Sequence, residues 1–272
     1  MRKSMKITLI TGLVLFVLGG LGSFITERQH IADIKKRTVE NHTTIKDDVH
    51  TIKINVYGAK RVKVKRGDHL QINAREIPGD YEVKHQVEDG VLKIEDRIKD
   101  LTGDNPNINF HLSNTYGNNE IELIIPKDIK IITGRTTNYV DVSFDKVDLD
   151  RLSIDTEAGN IDVKDSVVKQ AKAISSTGDI ILSHNAFEGL TAQNNDGDVL
   201  IKDLPADIPI DVENMSGLID IEWRSKPENS TIEYHTTSGE LEVDKNIISD
   251  DIVGKGKNEV RIVSKDGDIN LH

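Results

Sequence analysis

The chain has 272 residues and no cysteine, so no disulfide holds it together and no lipidated cysteine anchors it. A large apolar core must do that work instead. Aromatic residues are 4% of the chain, with one tryptophan, which suits narrow layers filled by aliphatic side chains. There is no excess of positive charge. The formal net charge is −11, and an acidic exterior repels nucleic acid and other polyanions at long range. The sequence also lacks G-x-S-x-G, a P-loop, a dinucleotide fingerprint and H-E-x-x-H, which removes the commonest nucleophile, phosphate, dinucleotide and zinc signatures.

One long apolar run is present. Ile7 to Ile25 carries no charge and follows Arg2, Lys3 and Lys6, and a run of this length just crosses a hydrocarbon core as a helix. It continues through Gly19, Gly20 and Gly22 to Phe24, with no small-x-small cleavage site after it. A signal peptide is the competing reading, but its apolar region is normally shorter. Residues 1–26 are therefore expected to be a cytoplasmic head and an uncleaved transmembrane anchor. The basic start places the remainder outside the cell membrane. The lipid bilayer is the first expected partner.

Residues 27–49 are polar, with Ile31, Ile34 and Val39 loosely at helical spacing, and read as a stalk. From His50 the period changes to two, in TIKINVYG, RVKVKRG, LQINAREI, YEVKHQVEDG and VLKIEDR. Such alternation marks half-buried strands. Residues 96–119 break the rhythm with Asn, Asp, Gly103 and Pro106, the composition of a surface insertion. IELIIPKD (Ile121–Asp128) closes an irregular N-terminal β region at 50–128.

A strict repeat fills 129–272. The turn residues are Asn138, Gly159, Gly178, Gly197, Gly217, Gly239 and Gly267, and the positions two and four places later are aliphatic in all seven units, from Val140/Val142 and Ile161/Val163 to Ile269/Leu271. Self-similarity at about 20 residues is the signature of stacked β-architectures. In a row of tight hairpins, the position three before each turn would share the apolar face. Those positions are Arg135, Thr156, Ser175, Asn194, Asn214, Thr236 and Ser264, all polar. The expectation is instead an all-β parallel β-solenoid of about seven coils, each strand pairing with its equivalent one coil later. At about 3.3 Å per residue and 4.8 Å per coil, the perimeter is near 65 Å and the seven coils stack to roughly 30–35 Å. Glycine is expected at the turns because a left-handed backbone costs other residues about 1–2 kcal/mol, with Asn138 as its tolerated substitute. Trp223, six residues after Gly217, reads as a packed corner. The chain ends in INLH, inside the last apolar column, so the last coil is expected to be uncapped and open to a partner or second copy.

No reactive constellation emerges. Asn160, Asp179, Asp198, Glu240 and Asp268 follow the turns and would stack as a ladder, but the dense Gly-Asp repeat of calcium-binding rolls is absent. The nine histidines, His30, His42, His50, His69, His85, His111, His184, His235 and His272, show no ligand spacing. Ser166-Val167-Val168-Lys169 matches S-x-x-K without its partner motifs. Asp141, Asp162 and Asp220 are expected to share one outward row, with no Arg or Lys column facing them, which argues against a glycan lyase or hydrolase. No catalytic, cofactor-binding or metal-binding residue is assigned.

The features DGVLKIEDR (89–97), IELIIPKD (121–128), SIDTEAGNIDVKDS (153–166), AISSTGDIILSHN (173–185) and AQNNDGDVLIKDL (192–204) together resemble the bacterial putative-adhesin β-helix family. That resemblance covers about residues 50–272. It implies an extracytoplasmic, membrane-anchored domain without established catalytic residues, linked in some members to cell-envelope stress. It leaves three functions open: an envelope accessory protein with a protein partner, an adhesin for glycan or matrix, and a β-helix polysaccharide-cleaving enzyme.

Overall fold

The structure is a computed structural model, describing residues 16, 28–29, 32–33, 35–98, 119–248 and 252–272. In chain order the strands of the first part are β1 (Val39–Thr44), β2 (Thr51–Val56), β3 (Arg61–Arg66), β4 (Gln71–Glu76), β5 (Tyr81–Glu88), β6 (Val91–Ile98) and β7 (Glu120–Ile125). Those of the middle are β8 (Ile131–Tyr139), β9 (Asp141–Asp145), β10 (Asp148–Ala158), β11 (Ile161–Lys164), β12 (Val167–Thr177), β13 (Ile180–Ser183), β14 (Ala186–Asp196) and β15 (Val199–Leu204). The last are β16 (Ile210–Ser216), β17 (Ile219–Trp223), β18 (Ser230–Thr236), β19 (Leu241–Val243), β20 (Asn258–Asp266) and β21 (Ile269–Leu271).

Two sheets face each other, and the chain alternates between them. The first sheet runs β1-β4-β7-β3-β9-β11-β13-β15-β17-β21-β19, and the second runs β18-β20-β16-β14-β12-β10-β8-β2-β6-β5. Coil-to-coil pairing is parallel and in register, as in Ile161↔Ile180 and Ile180↔Val199. That is the solenoid expected from the repeat. Ile161, Ile180, Val199, Ile219 and Ile269 form one buried ladder, and Leu152, Leu190, Ile210 and Val260 belong to another on the opposite sheet.

Chain order and stacking order differ at both ends. The last coil, β20/β21, sits between β16/β17 and β18/β19. The C-terminus is therefore inside the stack and the expectation of an uncapped last coil is corrected: the outermost coil is the sixth repeat. At the other end β2/β3 lies between β8/β9 and β6/β7 in the same way. The described residues of 50–128 are thus more regular than expected. They add two regular coils to the seven, and the sheets cross position 128 without a break. The antiparallel strands β1, β4 and β5 finish this end.

The stalk expected at 27–49 is only partly one. Its described residues up to Arg37 are helical, but β1 pairs with β4 and Val49 is buried. No helix among the described residues is long and apolar enough to cross a membrane. The run Ile7–Ile25, apart from Phe16, lies outside the described residues, as does most of the 96–119 insertion.

The first repeat is offset by a bulge. Val142, not Val140, pairs with Ile161, and the register shifts between Thr136 and Tyr139. Asn138 does adopt a left-handed backbone (φ 60°), but in this bulge, and Val140 occupies the position equivalent to Gly159. On the other sheet the offset is one residue, so that Thr136, not Arg135, continues the polar column of Thr156.

Candidate binding surface

The solenoid has two long corners, and each is built from stacked backbone. At the first, a Cβ on Gly178 would lie 2.6 Å from the Gly159 carbonyl oxygen, and one on Gly197 would lie 2.6 Å from that of Gly178. The ladder continues through Gly217, Gly267 and Gly239 by equally close approaches. The four glycines from Gly159 to Gly217 also have φ between 112° and 130°, but Gly267 and Gly239 have no positive φ. The expected reason for glycine, a left-handed turn, therefore covers only part of the column. Close approach of neighbouring coils covers all of it.

The Asn and Asp side chains after these glycines are structural, whereas Glu240 is exposed. Asn160 donates its backbone N–H to Asp141 Oδ1 (3.0 Å), Asp179 to Asn160 Oδ1 (2.8 Å), Asp198 to Asp179 Oδ1 (2.9 Å) and Leu218 to Asp198 Oδ1 (2.9 Å). Each side chain caps the amide of the next coil. Among the described residues no group of three or more His, Cys, Asp or Glu is placed to hold a metal.

The second corner went unread in the sequence. Lys146, Asp165, His184 and Asp203 all have φ between 51° and 58°, and they recur at an interval of 19 residues. Asp and His enter the left-handed region more readily than most residues. Behind this hinge Ser166 Oγ accepts the Val147 N–H (3.1 Å) and donates to the Lys164 carbonyl (2.7 Å), while Asn185 Oδ1 accepts the Ser166 N–H (2.9 Å). Ser166 is buried in this network, and Lys169 pairs instead with Asp150 (2.7 Å). The S-x-x-K match is thus turn chemistry. Trp223 is buried at this corner, paired with Leu204.

On the outer face of the first sheet, Asp162 and Asp220 share a row with Ile181 and Leu200 between them. Asp141 does not join them: Ser143 holds that place, and Asp141 lies beside Arg61 at 3.9 Å. The expected row of three aspartates is corrected: it holds two. Burial against this face raises the Asp162 carboxyl above its ordinary range. Asp220 is engaged by His272 (3.2 Å).

A shallow groove of about 360 Å³ crosses the outer face of the second sheet beside the glycine corner. Ile174, Gln193, Glu213 and Val263 form one wall row, and Ser176, Asn195, Met215 and Lys265 the next. Between the rows Asn194 and Asn214 are buried. Each donates its side-chain N–H to the glycine carbonyl of the preceding coil, at 3.0 and 2.9 Å, and leaves its Oδ1 without a protein partner. Sequence reasoning missed this groove because its residues align only once the register is known.

Near the other end, Asp96 is a buried carboxylate. It accepts the backbone N–H groups of Tyr57 (2.9 Å), Gly58 (2.7 Å) and Ala59 (2.8 Å). Burial raises its carboxyl above the ordinary range against the opposing pull of those three donors. This fixes the turn between β2 and β3, a structural role.

Charge is divided along the stack. Residues 138–272 contain 28 Asp and Glu against 13 Lys and Arg, a net −15, whereas 50–98 contain 8 against 10, a net +2.

Residues 49–272, which include every strand but β1, match the Toastrack DUF4097 family. The chain belongs to this family. Comparison with curated proteins gives no match. Three solved structures are similar to this Toastrack chain over most of its length. A putative cell adhesion protein from Clostridium sporogenes is 13% identical, covering 86% of this chain and 98% of its own, with a TM-score of 0.35. A putative adhesin from Bacteroides fragilis is 12% identical over 87% and 98%, with a TM-score of 0.47. A putative adhesin from Parabacteroides distasonis is 9% identical over 86% and 97%, with a TM-score of 0.46.

Proposed function

We propose that this chain is a membrane-anchored, extracytoplasmic Toastrack protein that works by binding, as an accessory or interaction protein of the cell envelope, without catalysis. The observation that carries this reading is how its polar side chains are used. The Asx ladder after the glycines, Ser166 and Asn185 at the second corner, and Asp96 near the first all serve the backbone. What remains outside is a long, ordered and acidic surface. The apolar run at 7–25 supports the anchor, and the basic residues before it support the outward orientation.

Fractionation tests the placement. The full chain is expected in the membrane fraction, with an epitope after His272 cleaved by protease added to intact wall-less cells. Release of the protein into the cytoplasm, or protection of the epitope, would overturn the reading.

A second reading, adhesion to glycan, is favoured by the groove alone. Gln193, Asn195, Ser176 and Glu213 offer the amides, hydroxyl and carboxylate that sugar hydroxyls pair with. Attachment of cells to immobilised glycans should then fall when Gln193 and Asn195 are replaced by Ala. Equal attachment with and without the protein would dismiss adhesion.

A further inference from the structure

The outermost coil of the acidic end leaves one strand edge open. β19 is the last strand of its sheet, and among the described residues nothing pairs with its outer side. Its neighbour β18 is partly covered, because Ser230 and Val253 exchange both backbone hydrogen bonds, at 3.1 and 2.8 Å. On the inner side of β19, Glu240 accepts the Ile269 N–H (2.9 Å) and Asp244 donates to Leu271 (2.8 Å). Parallel pairing uses alternate residues on each side, so Leu241 and Val243 direct their N–H and C=O groups outward. The interior column that runs through Val199, Ile219 and Ile269 also ends here, with Leu241 44% exposed.

The molecule contains its own example of what such a strand pairs with. Glu240-Leu241-Glu242-Val243 repeats the pattern of Glu120-Ile121-Glu122-Leu123 at the start of β7. On one side β7 carries β3, whose Arg61-Val62-Lys63-Val64-Lys65 lies parallel in the register Val62↔Ile121 and Val64↔Leu123. Lys63 pairs with Glu120, and Lys65 with Glu122. Aliphatic residues of the two strands share the core face, and lysines meet glutamates on the outer face.

We propose that the free edge of β19 is a strand-addition site for an extended segment of another polypeptide in which aliphatic residues alternate with Lys or Arg. Such a segment extends the aliphatic column over Leu241 and Val243 and places its cations beside Glu240 and Glu242. A second copy of this chain fits poorly through the same edge, since it would set Glu242 and Glu240 against their own kind within a region of net charge −15. The proposal rests on the reading of the protein as a binding module. The two fail separately: fractionation decides where the protein sits, and peptide titration decides what this edge accepts.

The probe is a synthetic peptide with the sequence of residues 60–67, titrated into the full chain at low ionic strength. Saturable one-to-one binding is expected, with slowed hydrogen exchange at the Leu241 and Val243 amides. Salt should weaken it. The double variant Glu240→Lys, Glu242→Lys changes only exposed side chains, so it should keep its thermal stability while losing affinity about tenfold. A peptide with Glu in place of Arg61, Lys63 and Lys65 should not bind. Absence of binding, equal binding to the double variant, or protection appearing at β1 or β5 would each overturn the proposal. So would a concentration-dependent dimer that itself protects Leu241 and Val243, because it would assign the edge to a second copy.

Discussion

Three glycine-to-alanine variants separate the two reasons for glycine in this fold. Gly79 has φ +82° and nothing within 4 Å of a built Cβ, so Gly79→Ala meets a conformational penalty alone. Gly267 has no positive φ, but its Cβ would press on the Gly217 backbone, so Gly267→Ala meets stacking alone. Gly178 combines φ +120° with a carbonyl oxygen at 2.6 Å. A left-handed alanine costs about 1–2 kcal/mol, partly offset by about 0.4–1 kcal/mol from a less flexible unfolded chain. Forcing a methyl into filled space costs about 1–3 kcal/mol, and a backbone conformation open only to glycine about 1–3 kcal/mol. Gly79→Ala should therefore lose about 1 kcal/mol or less, Gly267→Ala about 2 kcal/mol, and Gly178→Ala about 4 kcal/mol. At about 2–4 °C per kcal/mol for a domain of this size, Gly178→Ala melts roughly 8–16 °C below the parent. Urea unfolding followed by far-UV circular dichroism supplies the free energies, with the slope m as a check that the unfolded state is unchanged. If Gly267→Ala were as stable as the parent, or Gly79→Ala the worst of the three, close stacking would not be the constraint that keeps this column glycine.

Replacing Asp96 with Ala leaves the amides of Tyr57, Gly58 and Ala59 without their acceptor. Only the Ala59 contact is fully buried, so a loss of about 2–3 kcal/mol is expected in urea unfolding; a loss below about 0.5 kcal/mol would show the turn is fixed by other means. The Asp96 carboxyl is raised in the folded state, so its contribution is fully present below the unfolded pKa of about 4 and declines as pH rises through the folded value. The stability of the parent relative to Asp96→Asn should therefore fall between acid and neutral pH, and a flat difference would contradict this. Lys63→Ala removes an exposed ion pair with Glu120, and its cost should stay under about 1 kcal/mol and shrink in salt. Deleting 258–272 takes out the coil between β16/β17 and β18/β19, so amide protection should collapse in both β16 and β18. Protection retained in β18 would mean the sixth repeat can stack directly on the fifth.

The core was legible because burial in a solenoid repeats: Ile161, Ile180, Val199 and Ile219 announce one column by spacing alone, and the glycines announce the corner beside it. Three things were not. The bulge at Asn138 shifts the first repeat by two residues on one sheet, and both registers present apolar residues, Val140 and Val142 in one and Val142 and Phe144 in the other, so the pattern could not choose between them. The order of stacking is hidden for the same reason, since Ile219 packs equally well against Leu241 or Ile269 and only the 28-residue spacing before Gly267 hinted at a longer excursion. The groove has no signal of its own. Gln193, Asn195 and Glu213 look like any outward polar positions until coils are laid side by side.

The exchange of order at the acidic end bears on how a partner would meet it. A last coil stacked in chain order would end in a free terminus, where backbone frays. Here the C-terminus is clasped: His272 donates its N–H to Ile221 (3.0 Å), accepts that of Trp223 (2.8 Å) and reaches Asp220 with its ring. The outermost coil is an internal segment, held where it enters β18 by Asp207, which accepts the N–H groups of Glu228 and Asn229, and where it leaves β19 by the Asp244 turn with Ile248 buried beneath it. An edge tied at both ends is already ordered before anything pairs with it, so an incoming strand bears the entropy of its own ordering and not that of the site. Among the described residues the interleaving leaves β19 as an ordered, unpaired rung at the end of its sheet, which is the geometry that strand addition uses.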